Sequence, residues 1–397
     1  MQISNLTLFV EINNLKLNFF VSSYDRNENL IINHKSNTFL FGLDGNRISD
    51  LETAYSKIKE NILFIEQKLN FTFKEVILIL ENNELSFINL TGFKNLNGSQ
   101  VVRENITYIL NSLKACVNEI EPKKTILHIF NSRFNLDNKN ISNLPIGLFG
   151  DFYAHELSFT LINKNDYKNL KNIFDKCNLK IKKILTKSFV IGANISDNNK
   201  NIESFFQIKM NNDNSKIFFF ENNALKFEQD FKFGTDIIIK DISKVTSLKV
   251  NDVKEILNKE EFHEISNEEI IDREFFKESN YIKIKKKLVL EVALARIKEI
   301  SELIIFNNIN FDHSNKISDV IFLEMNNKLR FKGLEKILRT TFSRNGSYKL
   351  YLTESISSQS MLNTASRLVH FGWKKEAIPI TQSKKSLIGR FFDTIFG

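Results

Sequence analysis

The side chains that most often carry enzyme chemistry are scattered along this sequence. It contains no Gly-x-x-x-x-Gly-Lys-Ser/Thr phosphate loop, no His-Glu-x-x-His, no Gly-x-Ser-x-Gly elbow and no Cys-x-x-Cys pair. Of the 6 histidines, His128 and His155 fall in strand-like runs, where a hydrogen-bonded structural histidine is the usual occupant. Asp241 and Glu255 are acids that a cleft could use, and ordinary surface carboxylates otherwise. The 2 cysteines, Cys116 and Cys177, fit a reducing compartment and small core positions better than a nucleophile's role. No catalytic residue and no metal ligand set is expected, so the chain reads as a non-enzyme.

The chemistry that the pattern does offer is interfacial. From Lys384 to Gly397, Leu387, Ile388, Phe391, Phe392, Ile395 and Phe396 recur as pairs every four residues and would form one apolar stripe on a helix. Lys384, Lys385 and Arg390 supply cations beside it. A basic amphipathic helix of this kind suits an anionic membrane surface. The same stripe would also suit a terminal helix docked on its own core. Thr381, Gln382 and Ser383 read as a polar tether before it. A run at Lys283, Lys285, Lys286 and Lys287 reads as a solvated helix face. With no zinc-knuckle spacing and no basic arm with interleaved aromatics, nucleic acid is not an expected partner.

The elements that must position these residues have room to form. A chain of 397 residues, 42% hydrophobic and 26% charged, can build two to four domains with real cores. The net charge of +8, from 55 basic and 47 acidic residues, is modest and dispersed. Only 13 Gly and 3 Pro are present, which matters for any chemistry that needs glycine-bearing loops. No apolar run reaches about 18 residues, so no membrane-spanning helix is expected. Met1 to Asn5 lacks a basic region followed by an apolar one, so no signal peptide is expected and the cytoplasm is the predicted compartment.

Leu6 to Ser22 predicts a hairpin turning near Asn13-Asn14. Helical periodicity covers Leu51 to Leu69, Gln100 to Ile120 and Asp166 to Lys176, the last with Asn165 as N-cap. Strands are expected at Glu75 to Leu80, Thr125 to Phe130, Glu156 to Ile162 and Lys180 to Leu185. A second unit opens near Ile202 with strands at Ser204 to Ile208, Lys216 to Glu221 and Ala224 to Phe231. Helices at Asn251 to Asn258, Glu268 to Lys277 and Lys285 to Phe306 follow, then a strand at Asp319 to Glu324 and a helix at Gly333 to Thr340. Alternating strands and helices argue for an α/β fold. Two halves that each open with a strand meander and continue with helices suggest a duplicated architecture.

Within this pattern, Leu127-His128-Ile129 is followed by Pro145-Ile146-Gly147-Leu148-Phe149-Gly150. Ala154-His155-Glu156-Leu157 then precedes a helix from Asn169 to Cys177-Asn178-Leu179. Farther on come Gly234 with Asp241-Ile242-Ser243, Ala295-Arg296-Ile297-Lys298-Glu299-Ile300, and Thr364-Ala365 with His370-Phe371-Gly372. In order and spacing, with the amphipathic tail behind a linker, these segments resemble the bacterial cell-division family FtsA of the actin/Hsp70 superfamily, as a divergent member. The resemblance implies an α/β, actin-like two-lobed fold with an inserted strand-helix-strand-strand domain and a C-terminal amphipathic helix. It implies a first core lobe at 1–81 and 156–200, the inserted domain at 82–155, and a second core lobe at 201–235 and 309–373. A small FtsZ-binding subdomain would span 236–308, a linker 374–383 and the membrane-targeting helix 384–397.

The resemblance also implies ATP with Mg as the cofactor, held between three glycine-bearing loops, because backbone N–H groups must reach the phosphates with no side chain in the way. At the first loop, normally acid-apolar-Gly-Thr, this chain has Glu11-Ile12-Asn13-Asn14. At the second, normally Asp-apolar-Gly-Gly-Gly-Thr, the matching stretch runs from Gln207 to Asn211-Asn212. At the third, Asn326-Asn327 stands where Gly-Gly is normal. Asn tolerates positive φ, but its side chain would crowd the phosphates. Gln207 could not position hydrated magnesium. A degenerate site with weak or absent ATP binding and no hydrolysis is expected.

Arg296 and Glu299 match the family's Arg-x-x-Glu on a helix implicated in binding the C-terminal peptide of FtsZ; they also suit an i,i+3 ion pair. The implied function is a cell-division adaptor that tethers FtsZ filaments to the cytoplasmic face of the inner membrane at the division site. Self-association into filaments and later division proteins are its further implied partners. An actin-like adaptor of type IV pilus assembly is the alternative. An ATP-driven enzyme of the same fold is disfavoured by the missing glycines.

Overall fold

The structure is a computed structural model that describes residues 6–13, 16–25, 27, 29–39, 43–44, 47–81, 84–259, 268–311, 318–325, 334–344 and 346–377. The chain divides into two compact units, Met1–Asn83 with Ile173–Phe371, and Glu84–Asn172 with Gly372–Gly397.

The first unit opens with an antiparallel meander, β1 (Thr7–Ile12), β2 (Lys16–Tyr24) and β3 (Leu30–Phe39). A short hairpin, β4 (Leu43–Asp44) and β5 (Arg47–Ile48), leads to α1 (Leu51–Leu69). Asp50 caps α1 by accepting from the Glu52 and Thr53 N–H groups, and Asn70 ends it in the left-handed conformation at φ 47°. Its Ala54, Ile58, Ile62 and Ile65 are buried at helical spacing. The chain then returns as β6 (Glu75–Leu80), parallel to β1 and buried from Val76 onward.

The second unit is built from β7 (Ser86–Asn95), α2 (Arg103–Ile120), β8 (Lys124–Leu136), β9 (Lys139–Ile141) and β10 (Phe152–Asn163). Its antiparallel sheet has the order β7-β10-β8-β9. From α2, Ile109, Leu110, Leu113 and Val117 share a core with Leu157, Phe159 and Leu161 of β10. Gly92 lets β7 lie close under α2, since a Cβ there would stand 2.6 Å from Ile109 Cγ2. The first residues of the expected linker are held in this unit. Asn131 N–H donates to the Lys375 carbonyl at 2.6 Å, and Ala377 N–H to the Ile129 carbonyl at 2.8 Å. The backbone of 374–377 thus finds partners along β8 rather than in solvent.

Then α3 (Lys164–Lys176) leads to β11 (Lys180–Thr186), which adds parallel to β6. The cap expected at Asn165 lies two residues earlier, because Asn163 Oδ1 accepts from the Asn165 N–H at 2.9 Å. After α4 (Lys187–Asn198) comes a second antiparallel meander, β12 (Phe205–Met210), β13 (Ser215–Glu221) and β14 (Ala224–Phe231). A helical region follows, with α5 (Asp236–Thr246), α6 (Val250–Lys259) and α7 (Lys286–Ser301), the last prolonged by a wide turn at Glu302–Phe306. Next, β15 (Val320–Met325) pairs parallel with β12, α8 (Leu334–Phe342) follows, β16 (Lys349–Thr353) pairs parallel with β15, and α9 (Ser358–His370) comes last.

The sheet orders are β11-β6-β1-β2-β3 and β14-β13-β12-β15-β16. Each is a three-strand meander whose first strand is flanked on its other side by two parallel strands. The duplicated architecture is thus present in topology. The helix expected at Glu268 to Lys277 does not form. Ile271 and Phe275 reach the core, as one helix face would, but the Ile271 N–H donates to the Ile284 carbonyl and the Lys286 N–H to the Glu269 carbonyl, each at 2.9 Å. Pairing across the chain replaces i→i+4 pairing, leaving only a short 3₁₀ turn at Arg273–Phe275.

Candidate functional site

The two meander hairpins end in matching turns. In the first, Asn13 N–H donates to the Lys16 carbonyl at 3.1 Å and Lys16 N–H to Asn13 Oδ1 at 2.8 Å. In the second, Asn211 N–H donates to the Asn214 carbonyl at 2.9 Å and Asn211 Nδ2 to Asn214 Oδ1 at 2.7 Å. Matching the turns aligns Glu11-Ile12-Asn13 with Lys209-Met210-Asn211. Gln207 lies two residues farther back, buried in the sheet. Lys209, a cation, therefore occupies the place that mirrors the acid of the first turn.

Side chains from both halves converge at these strand ends. Lys187, the first residue of α4, has Nζ 2.7 Å from Glu11 Oε1 and 2.7 Å from Glu81 Oε2. Glu81 directly follows β6, with its N–H on the Ile12 carbonyl at 2.9 Å. Lys209 Nζ stands 3.6 Å from Glu81 Oε1 and 3.8 Å from Glu324 Oε1. Asn18 Nδ2 donates to Glu11 Oε2 at 2.8 Å, and Ser355 Oγ donates to Glu324 Oε1 at 2.6 Å. Burial works against the charge of Lys187, but Glu81 and Glu11 outweigh it and raise its pKa above the ordinary lysine value. Burial likewise works against the Glu81 carboxylate, and Lys187 and Lys209 overcome it and lower its pKa. The sequence reading found Glu11 but missed Glu81, Lys187, Lys209 and Glu324. A signal was available: Glu11, Lys209 and Glu324 are single charges near the ends of otherwise apolar strands.

Around Asn13 and Asn211 the geometry does not fit a magnesium–nucleotide. The Asn13 and Asn211 N–H groups are committed within their turns, and Lys209 stands at the place that mirrors Glu11, where a second acid would be needed to position hydrated magnesium. The second turn is also fixed from behind, since the Thr235 and Asp236 N–H groups donate to the Asn211 and Asn212 carbonyls at 2.9 and 2.8 Å. Gly234 passes so close that any Cβ would strike the Asn211 carbonyl oxygen. Asn14, Asn326 and Asn327 lie outside the described residues, as does the whole segment 384–397 with Lys384, Lys385, Leu387, Ile388, Arg390, Phe391, Phe392, Ile395 and Phe396.

A second surface lies on α5 and α7. Arg296 pairs with Asp241 across the two helices and with Glu299 one turn away, where Nη1 and Oε2 are 2.8 Å apart. Near the C-terminal end of α5 is an open groove of about 540 Å³, lined by Val245, Ile282, Leu288, Lys283 and Lys285 among others. Val245, Ile282 and Leu288 are exposed by 54%, 43% and 38%, so the floor is apolar and accessible beside the lysines. The other candidates are structural. Glu255 pairs with Lys259 and Lys277 at 2.7 and 2.6 Å, and His155 Nε2 lies 2.9 Å from Asn131 Oδ1. Burial pushes the Cys177 thiol up to about 11, away from nucleophilic use. Among the described residues no group of acids, histidines and cysteines could hold a metal ion, and no helix is long and apolar enough to cross a membrane.

The duplicated sheet order finds a counterpart among solved structures. The PilM–PilN type IV pilus biogenesis complex superposes with a TM-score of 0.51 at 12% identity, covering 91% of this chain and 98% of that one. The cell division protein FtsA of Buchnera aphidicola subsp. Schizaphis graminum is 22% identical over 215 residues, 54% of this chain and 51% of that protein. FtsA of Streptococcus pneumoniae is 20% identical over 283 residues, 70% of this chain and 62% of that protein. These similarities support a divergent FtsA-like protein. Its fold is the actin-like ATPase fold. The FtsA-like chain spans about half the length of the Buchnera relative, and no family model matches it.

Proposed function

We propose that the FtsA-like chain is a cell-division adaptor that tethers FtsZ filaments to the cytoplasmic membrane without using ATP. The observation that carries this is the strand-end cluster, where Lys187 and Lys209 pair with Glu11, Glu81 and Glu324 in the region where the family resemblance would put a nucleotide. The likeness to FtsA supplies the cell-division context. The α5–α7 surface supports a partner site. Its apolar floor and its lysines suit an acidic peptide with apolar side chains, the role proposed here for the C-terminal peptide of FtsZ. The residues Arg296 and Glu299 on α7 belong to the same proposed surface.

The stripe Leu387, Ile388, Phe391, Phe392, Ile395 and Phe396, flanked by Lys384, Lys385 and Arg390, is the proposed membrane anchor. Burying one large apolar side chain contributes roughly 1.5–3 kcal/mol, so a single tail binds reversibly and a row of tails on a self-associated polymer binds by avidity. The deciding experiment is sedimentation of the cognate FtsZ with anionic liposomes in the presence of this protein, with and without ATP–magnesium. Equal pelleting in both conditions is expected. Pelleting only with ATP overturns the nucleotide-independent reading. The likeness to the PilM–PilN complex supports a second reading, an adaptor of type IV pilus assembly, and absence of pelleting in both conditions would favour it.

A further inference from the structure

We infer that Lys209 is a built-in cation that joins the two halves of the duplicated body in place of a magnesium–nucleotide. The inference rests on the nucleotide-independent reading above and names what replaces the ligand. Lys209 comes from β12 of the second half, and its Nζ reaches Glu324 of that half and Glu81 of the first, at 3.8 and 3.6 Å. Glu81 in turn holds Lys187, and Lys187 holds Glu11, so the chain of charges is continuous from β1 to β15.

Magnesium at a nucleotide site is held by one or two carboxylates together with the substrate's phosphates, and so it can leave with them. An ammonium tethered to β12 performs the same neutralisation and cannot dissociate. The side chains of Lys187, Glu11, Glu81, Lys209 and Glu324 are only 17%, 6%, 18%, 22% and 6% exposed, so solvent and salt screen them weakly. Removing Lys209 leaves Glu324 without a counter-charge in this chain of charges, and removing Glu81 cuts the link between the halves while Lys187 keeps Glu11 and Lys209 keeps Glu324. Closure of this body is therefore fixed when the chain folds, and nucleotide exchange has nothing to control. The loss of glycine at both described turns then carries no penalty, because no phosphate has to approach them.

The test is a double-mutant cycle in the full chain, with Glu81→Gln, Lys209→Met, both together, and Lys209→Arg. Thermal unfolding midpoints are read with and without millimolar ATP–magnesium. Each single neutralisation is expected to lower the midpoint by several degrees, and the double to lower it by clearly less than the sum. Lys209→Arg should lie closer to wild type than Lys209→Met does. ATP–magnesium should leave the wild-type midpoint unchanged. Additive losses, equal midpoints for Lys209→Arg and Lys209→Met, or a clear rise of the wild-type midpoint with ATP–magnesium would each overturn the inference. If Lys209→Met fails to fold, Lys209→Gln takes its place in the cycle: a loss that couples to Glu81→Gln supports the link, and additive losses overturn it. Recruitment of FtsZ to liposomes by the wild-type chain is read separately. Recruitment absent with coupling intact removes the adaptor and keeps the built-in cation, and the reverse pattern removes the cation alone.

Discussion

Lys187 holds Glu11 and Glu81 at 2.7 Å each, from a position with 17% of its side chain exposed. Lys187→Met strands Glu11 in a poorly hydrated place, leaves Glu81 to Lys209 alone, and is expected to cost about 3 kcal/mol in denaturant unfolding. Lys187→Arg should cost much less. The pKa of Glu81 is lowered below the usual 4.5, so its contribution is present above that pH and lost as pH falls through the lower folded value. The pKa of Lys187 is raised above the usual 10.5, so its contribution is present below that pH and lost only as pH rises through the higher folded value. The cluster should therefore be intact from mildly acid to alkaline solution. In the second unit, a buried histidine adds its own acid sensitivity. Burial lowers the pKa of His155 from 6.5 to about 4, so the unfolded chain binds its proton first. Stability should fall by about 3 kcal/mol as pH drops from 6.5 to 4, and His155→Gln should remove that slope when unfolding of the second unit is followed against pH.

Among the elements, α4 shows how a helix can be fixed by one residue. Gly192 faces the ring of Phe220 so closely that any Cβ would overlap it, and that ring is fully buried and stacked on Phe205 at 5.0 Å. Gly192→Ala should destabilise the protein by about 1–3 kcal/mol in thermal or denaturant unfolding. On the α5–α7 surface, Lys283→Glu with Lys285→Glu should weaken binding of an FtsZ C-terminal peptide by about tenfold, or ~1.4 kcal/mol, and flatten its salt dependence in a fluorescence titration. Much of the element order was legible. The periodicity of Leu51 to Leu69 and the apolar run of Glu75 to Leu80 coincide with α1 and β6. Less legible were β3 and β7, whose alternating polar residues carry little apolar signal. At Glu268 to Lys277, helical spacing of Ile271 and Phe275 was real, but distant backbone partners at Ile284 and Glu269 decided the conformation.

For the whole molecule, two sheets of the same order make an actin-like body whose strand ends are joined by its own charges. A body joined in this way should recruit FtsZ to anionic vesicles equally with and without ATP–magnesium. Phe392→Asp places a charge in the middle of the apolar stripe and should release the protein from such vesicles by flotation assay, with its unfolding midpoint unchanged.

The residues alone determined the α/β alternation, the duplicated meanders and the loss of glycine from the turns, because periodicity and backbone freedom are local properties. They also located an apolar stripe from Leu387 to Phe396 with cations beside it, a pattern that suits a membrane surface or the protein's own core. Only the tertiary structure decided what the turns had become. Glu11, Glu81, Lys187, Lys209 and Glu324 are separated by up to hundreds of residues, and charge compensation depends on distance in space. The same limit applied to Arg296, whose pairing with Glu299 followed from helical spacing while its pairing with Asp241 required α5 and α7 to pack side by side.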